Sequence, residues 1–373
     1  MQRRAFLQTG LAAGVMGMGG VTAAPHLLKL SPRTGLKGPI RLSSNENPLG
    51  IAPAARRAII EGLVDANRYP QGSGRMIEAL AAKHGVKPEN IVLGAGSTEV
   101  LKMTVHALAT PSGRLIVAEP TYEDGPWYAG ALPVEVVKVP LRSDYSHDLD
   151  QMQARASAGT GTVLVYLCSP NNPTGTLTPS ADIDAWIASA PDTMYFLVDE
   201  AYFDYVEDPR YWSAIRWVPE RPNVVIARTF SKVYGMAGIR LGYGIAHEET
   251  AERLRRFRVR NNANHLALVA GMASLDEAGF VERSLDVNQR GKRILHECLE
   301  DLGLDYLPSH TNFVMHRITG DLKTYREMML ERGIRVGRPF PPMLTHSRLS
   351  IGLPAEMEQF AETLKALRKE GKV

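Results

Sequence analysis

Four stretches of this 373-residue chain carry side chains whose types and spacing could serve one reaction. Cys168-Ser169-Pro170-Asn171-Asn172-Pro173-Thr174-Gly175 offers an amide at Asn172, and Asp199-Glu200-Ala201-Tyr202 offers a carboxylate with a phenol three residues on. Arg228-Thr229-Phe230-Ser231-Lys232 offers hydroxyls at Thr229 and Ser231 and an amine at Lys232, with Arg240 eight residues beyond. Gly94-Ala95-Gly96-Ser97-Thr98-Glu99 has the form of a turn that opens a helix. A lysine amine can condense with a carbonyl group. The free N–H groups and the dipole of a helix that starts at Gly96, Ser97 and Thr98 favour an anion, and a phosphate is the natural one. Arg240 would add a guanidinium fork to the same anion. The four stretches describe one pocket with an amine, a carboxylate, an amide, a phenol and a phosphate cradle. The glycine-rich stretch also resembles the start of a dinucleotide fingerprint, but its sixth position is Glu99 rather than Gly or Ala, and a nicotinamide site has no use for the lysine and arginine motifs.

What positions these groups is a series of short apolar, β-branched runs: 91–93, 115–117, 162–167, 195–198, 224–227 and 241–246. They alternate with longer helical patterns, the sequence form of an α/β domain with a mostly parallel sheet covered on both faces. Each chemical stretch follows directly on one of these runs, and ligands of open α/β sheets sit outside the carboxyl ends of the strands. The arginine-rich stretch Arg253 to Arg260 reads as a long helix leaving this domain, its charges a solvated face. Beyond it, helical patterns around 280–302 and 322–332, a strand at 312–316 and a last helix near 355–370 make a second region.

Composition excludes several alternatives. Lys+Arg 43 against Asp+Glu 40 leaves a formal charge of +3, without the basic excess that nucleic-acid binding requires. Two cysteines, Cys168 and Cys298, cannot build a disulfide framework, a four-thiolate zinc site or an iron–sulfur cluster, and no metal is expected. The first residues, Met1 to Gln8, place Arg3 and Arg4 before Phe6 and Leu7; an uncharged Gly/Ala-rich stretch runs from Leu11 to Ala24 and ends in small residues. This order is that of a twin-arginine export signal, and it implies the twin-arginine machinery as a partner and a periplasmic destination. The expected division is therefore an export signal at 1–24, an N-terminal arm at 25–55, a large α/β domain at 56–260 and a smaller α+β domain at 261–373.

Together with Leu42-Ser43-Ser44-Asn45-Glu46-Asn47-Pro48-Leu49-Gly50, Arg68-Tyr69-Pro70 and Arg348-Leu349-Ser350-Ile351-Gly352, these motifs resemble the class I/II aminotransferases of fold type I, and most of all their histidinol-phosphate branch. The resemblance implies pyridoxal 5′-phosphate as cofactor, bound to Lys232 as a Schiff base, with Lys232 also moving the substrate proton. It implies that Asp199 pairs with the pyridinium nitrogen, that Asn172 and Tyr202 bond the ring hydroxyl, and that Tyr122 stacks on the ring. Gly96, Ser97, Thr98, Thr229, Ser231 and Arg240 would hold the phosphate, joined by Tyr69 of the neighbouring subunit in a homodimer with shared sites. Arg348 would take the substrate carboxylate, with Asn172, Glu46 and Asn47 around the substrate; Glu46 either reads the substrate side chain or orders the arm.

The substrates so implied are an amino acid and a 2-oxo acid. Histidinol phosphate is a cytoplasmic intermediate, so export argues for a free amino acid as donor. The segment Val336 to Met343 also departs from the histidinol-phosphate pattern, although Arg338 could meet an anionic side chain. Histidinol-phosphate transamination proper, and oxidation or decarboxylation of an amino acid with the same Lys232 and Asp199, remain open. A non-catalytic cofactor sensor is disfavoured, because no DNA-binding module precedes the domain and Arg348 is present.

Overall fold

The computed structural model describes residues 38–159 and 161–372, so the expected export signal and the first part of the arm lie outside the described residues. Strand β1 (Ile40–Arg41) is followed by α1 (Pro53–Gly62), α2 (Ser73–His84), β2 (Ile91–Gly94), α3 (Ser97–Leu108), β3 (Arg114–Glu119), α4 (Asp124–Gly130), β4 (Glu135–Pro140), α5 (Leu149–Ser157) and β5 (Val163–Cys168). Then come α6 (Ser180–Ser189), β6 (Met194–Asp199), β7 (Val224–Thr229), β8 (Gly242–Ala246), α7 (Glu248–Arg255) and α8 (His265–Asp276). The chain ends with α9 (Phe280–Asp301), β9 (Phe313–Arg317), α10 (Leu322–Glu331), β10 (Ile334–Arg335), β11 (His346–Ser350) and α11 (Pro354–Lys369).

Seven strands form the central sheet in the order β2-β8-β7-β6-β5-β3-β4, parallel throughout except for β8, which runs antiparallel to both neighbours. The period of two along each strand feeds two cores. Val163, Val165 and Leu167 of β5 join one apolar cluster with Phe196, Val198, Val224 and Ile226, while Leu164, Tyr166 and Cys168 face the other with Leu197, Val225 and Ala227. The expected α/β fold is therefore present, with each apolar run in place. β4 escaped the sequence reading because it is an edge strand: Glu135 and Lys138 interrupt its apolar residues, and most of its side chains are at least partly exposed.

The expected long helix through Arg260 is a correction. α7 stops at Arg255, and the chain then turns because the Val259 N–H and the Asn262 amide are captured by the Glu99 carboxylate. Nor are all its charges a solvated face, since Arg253 bonds Tyr195 Oη and the Ala107 carbonyl, and Arg255 bonds the Glu89 carbonyl.

The smaller core gathers Leu295 and Leu299 of α9, Val314 of β9, Tyr325 of α10, Leu349 of β11 and Phe360 of α11. Its change from the large core comes within α9 rather than at residue 261: Ala267 and Leu268 of α8 and Phe280 of α9 still belong to the large core. Leu42 belongs to the small core and β1 pairs in parallel with β10, so the described part of the arm starts as a strand of the smaller domain. It then crosses to the large one. Gly235, at φ +68, lets the chain pass against the Gly50 carbonyl where a Cβ would collide.

Candidate active site

Three strand ends and one helix start converge on a cavity of about 150 Å³ lined by Ser97, Thr98, Tyr122, Cys168, Asn172, Asp199, Tyr202, Thr229, Ser231, Lys232 and Arg240, among others. At one end the start of α3 has Gly96 as its N-cap, at φ +80 and with no side-chain cap on the helix. A Cβ on Gly96 would run into the Arg240 guanidinium, so the glycine is what lets that guanidinium reach the helix start. Arg240 is held there by the Ala237 carbonyl at 2.9 Å, the Ala95 carbonyl at 3.3 Å and Ser231 Oγ at 3.4 Å. Its own backbone is in the left-handed region, φ 64, a conformation that costs a non-glycine residue and persists where the surroundings impose it. A helix N-terminus, an arginine and the hydroxyls of Ser97, Thr98, Thr229 and Ser231 make this end an anion cradle.

At the other end sits Asp199, 2% exposed at the tip of β6. Tyr166 Oη donates to its Oδ2 at 2.9 Å and the Ala201 N–H to its Oδ1 at 3.1 Å. Burial pushes its carboxyl up to about 6, against the downward pull of the Tyr166 hydrogen bond. A buried carboxylate with capacity to spare is suited to a protonated ring nitrogen.

Between the two ends, the Lys232 Nζ donates to the Asn45 carbonyl at 3.3 Å. Burial, assisted by the Arg348 charge, pulls this amine down to about 8, so a usable share is uncharged near neutral pH and can act as a nucleophile or base. Tyr202 Oη accepts from Asn45 Nδ2 at 2.9 Å, and the Tyr122 phenol donates to Asp124 Oδ2 at 2.7 Å, which Thr98 Oγ1 shares at 3.2 Å.

The cavity opens into a cleft of about 530 Å³ whose lining includes Lys232, Asn45, Tyr122, Asn172, Phe340 and Arg348. Arg348 Nη1 donates to Asn172 Oδ1 at 2.7 Å and Nη2 to the Ser43 carbonyl at 3.2 Å. Its carbon Cζ lies 4.4 Å from the centre of the Phe340 ring and 5.3 Å from that of Phe313. Burial lowers it to about 10, which leaves it cationic at neutral pH.

Three expected residues are not in this constellation. Glu46 bonds Arg41 at 2.7 Å, which matches the arm-ordering alternative. The Asn47 amide donates to the Val233 carbonyl and to Ser284 Oγ, so it staples the arm to the large domain. Tyr69 is 82% exposed and lines neither cavity. The sequence reading also missed contributors. Tyr166 reads as strand core and Asp124 lies outside the motifs, while Asn45 lies within the arm motif but carries no separate role there. Glu99 had a signal, its odd place in the glycine-rich stretch: its carboxylate accepts from the Ala95 N–H at 2.6 Å, Asn262 Nδ2 at 2.8 Å and the Val259 N–H at 3.1 Å, which fixes the loop leading into α3.

The profile of the class I and II aminotransferases matches residues 37–364. The chain belongs to that family. This aminotransferase is 39% identical over 337 residues to a histidinol-phosphate aminotransferase of Moorella thermoacetica, covering 89% of this chain and 86% of the relative. Its fold matches the crystal structure of a putative histidinol-phosphate aminotransferase from Erwinia carotovora atroseptica at TM-score 0.88 and 37% identity, over 91% of this chain and 100% of that one. It also matches a histidinol-phosphate aminotransferase of Sinorhizobium meliloti, solved with pyridoxal-5′-phosphate, at TM-score 0.82 and 26% identity, over 94% and 99%. The protein is thus a pyridoxal-phosphate-dependent aminotransferase of fold type I, acting on amino acids and 2-oxo acids. The donor set fits that cofactor: an amine for its aldehyde, a carboxylate for its ring nitrogen and a cradle for its phosphate. When bound, the cofactor supplies a ring that withdraws electrons from the carbon losing its proton.

Proposed function

We propose that this aminotransferase takes the amino group of a free amino acid, with Arg348 holding the α-carboxylate, Lys232 serving as nucleophile and proton carrier, and Asp199 holding the ring nitrogen protonated. The observation that carries the reading is Arg348. It is buried, it shares one cleft with Lys232, and its two bonds to oxygen acceptors leave N–H groups of a planar fork for a carboxylate. Lys232 then moves the proton at the substrate α-carbon, with its depressed basicity matched to neutral pH. Asn172 orients Arg348 from one side and closes the cofactor cavity from the other. Tyr202 would meet the ring hydroxyl and Tyr122 the ring face, and Gly96, Ser97, Thr98, Thr229, Ser231 and Arg240 would hold the phosphate.

Histidinol phosphate, named for the relatives, is the second reading, favoured by the 39% identity. Incubation of the holoenzyme with a panel of amino acids and histidinol phosphate, each with 2-oxoglutarate, separates them. Amino acid product without oxygen uptake or CO₂ release supports amino transfer from a free amino acid; turnover confined to histidinol phosphate supports the relatives' substrate. Peroxide or CO₂ as the main product would give an oxidase or decarboxylase instead.

Two further elements belong to this reading. The enzyme acts as a homodimer, with Tyr69 completing the phosphate site of its partner; the support is that Leu63, Val64 and Tyr69 are 56%, 80% and 82% exposed on one connection between α1 and α2, a cluster that asks for cover. It is exported to the periplasm, as the order of residues at 1–24 indicates. Replacing Arg3 and Arg4 by lysine should then retain the protein in the cytoplasm.

A further inference from the structure

Tyr122 reaches the cofactor cavity from the connection between β3 and α4. A tyrosine ring on a connection can turn about its own side-chain torsions unless its far end is held. Here the segment is clamped on both sides. Before Tyr122, Asn171 Nδ2 donates to the Pro120 carbonyl at 3.1 Å and Thr121 Oγ1 donates to Asn171 Oδ1 at 2.9 Å. After it comes Asp124, the first residue of α4, whose Oδ2 accepts from Tyr122 Oη at 2.7 Å and from Thr98 Oγ1 at 3.2 Å.

One carboxylate oxygen therefore ties together two lining residues that arrive on different elements, Tyr122 and the second residue of α3, Thr98. Asp124 stands behind them, outside the cavity lining. The elements are packed as well: Ala129 of α4 joins Leu101 and Val105 of α3 in one apolar cluster, with Tyr122 and Tyr128 against it. Burial, with the Asp124 charge added to it, holds the Tyr122 phenol far above its usual range, so at neutral pH its hydroxyl is a donor. A hydrogen bond to a charged acceptor is roughly twice as strong as one between neutral groups, which makes the Asp124 carboxylate a firm stop for the ring.

We propose that Asp124 is a positioning residue of the cofactor site: its carboxylate fixes the tilt of the Tyr122 ring and locks that ring to the Thr98 turn of the anion cradle. The ring face and the phosphate end are then set relative to one another before the cofactor arrives, by a side chain that touches neither cofactor nor substrate. This rests on the reading that places Tyr122 over the cofactor ring.

The test is a double-mutant cycle between Asp124→Asn and Tyr122→Phe, with Tyr122→Ala beside it. Titration with pyridoxal 5′-phosphate reads cofactor affinity, and circular dichroism in the visible band of the bound cofactor reads the orientation of its ring in the chiral site. Asp124→Asn keeps the size of the side chain and removes its charge. It should weaken cofactor binding about three- to tenfold, the worth of a hydrogen bond to a charged group less the weaker one an amide retains, and reduce the visible dichroism per bound cofactor. Tyr122→Phe should do the same, and the double variant should lose little beyond the larger single effect, because both changes remove one interaction. Losses that add in the double variant overturn the proposal. So does an Asp124→Asn variant of lowered thermal midpoint and unchanged dichroism per bound cofactor, the mark of a purely structural residue. Tyr122→Ala keeps the two readings apart. If it leaves affinity and dichroism as in the wild type, Tyr122 is not at the ring and the role of Asp124 falls with that placement. If it alters both while Asp124→Asn alters neither, the placement stands and the role of Asp124 is overturned.

Discussion

The cofactor cavity and the substrate cleft share a wall at Lys232, Asn172 and Tyr122, yet they are built on opposite terms. In the cavity the groups arrive already engaged: Asp199 with Tyr166 and the Ala201 N–H, Tyr202 with Asn45, Tyr122 and Thr98 with Asp124, Arg240 with Ser231 and two carbonyls. In the cleft, among the described residues, Arg326 and Arg335 stand without such partners. A cavity for a group that stays bound gains from a network that fixes every donor beforehand, because no reorganisation is then needed during reaction. A cleft through which two different substrates pass keeps hydrogen-bonding capacity free for each of them.

The largest break in this contrast should come from Lys232→Ala. Amino transfer should fall by about 10⁴-fold or more, the scale of a lost nucleophile and proton carrier. The visible absorbance band of the bound cofactor should be lost; its survival would move the nucleophile elsewhere. Next is Asp199→Asn, expected to lower kcat by about 10²–10³-fold, as for removal of a preorganised electrostatic partner, with KM little changed. A comparable loss in KM alone would show that Asp199 serves only to anchor. Arg348→Ala should cost about 10²-fold in kcat/KM for an amino acid and leave the cofactor spectrum intact, consistent with about 2–5 kcal/mol for truncating one member of a desolvated ion pair. A changed spectrum would place Arg348 in the cofactor cavity instead.

The pH dependence separates the two ends of the cavity. In cofactor-free protein Asp199 titrates near 6 and Lys232 near 8. Capture of pyridoxal phosphate, followed by stopped-flow absorbance, should therefore quicken as pH rises through 6, where the carboxylate ionises, and again through 8, where the amine is freed. Lys232 is depressed below its unfolded value, so the unfolded chain binds more protons between pH 8 and about 10.5, and its penalty on apo-protein stability is relieved over that window. Asp199 is raised, so its contribution favours the folded state at low pH and fades as pH climbs from about 4 to 6. The smallest effect is Tyr69→Phe: a loss of about fivefold in cofactor affinity, the worth of one hydrogen bond, if the partner subunit supplies that hydroxyl. No change in affinity in a protein that is dimeric in solution would remove Tyr69 from the site.

Much of the cavity was legible because its parts are local. A strand run followed at once by Asp199, or by Ser231 and Lys232, places the group at a strand's carboxyl end, and Gly96-Ser97-Thr98 places N–H groups at a helix start, whatever the rest of the chain does. What stayed hidden was relational. Tyr166 reads as one more apolar strand residue until β5 and β6 pair and its hydroxyl meets Asp199. Glu99 looked like a flaw in a glycine fingerprint; it is the acceptor that turns the chain after α7 and cut short the helix expected through Arg260. Glu46 and Asn47 share a motif with Asn45, yet it is Asn45 whose backbone carbonyl accepts from Lys232 and whose amide donates to Tyr202, while Glu46 pairs with Arg41 and Asn47 with Val233 and Ser284, because the arm's turn decides which groups look inward.

The sequence by itself determined the alternation of strands and helices, the two-faced core and the chemistry held at each strand end, since these follow from periodicity and from residues adjacent in the chain. Only the tertiary structure decided which carboxylates are spent on neighbours, which arginines are left unpaired, and where the large core gives way to the small one within α9. Those outcomes depend on burial and on pairs brought together from far apart in the chain, as with Asn172 and Arg348, 176 residues apart, and no local pattern encodes a contact of that range.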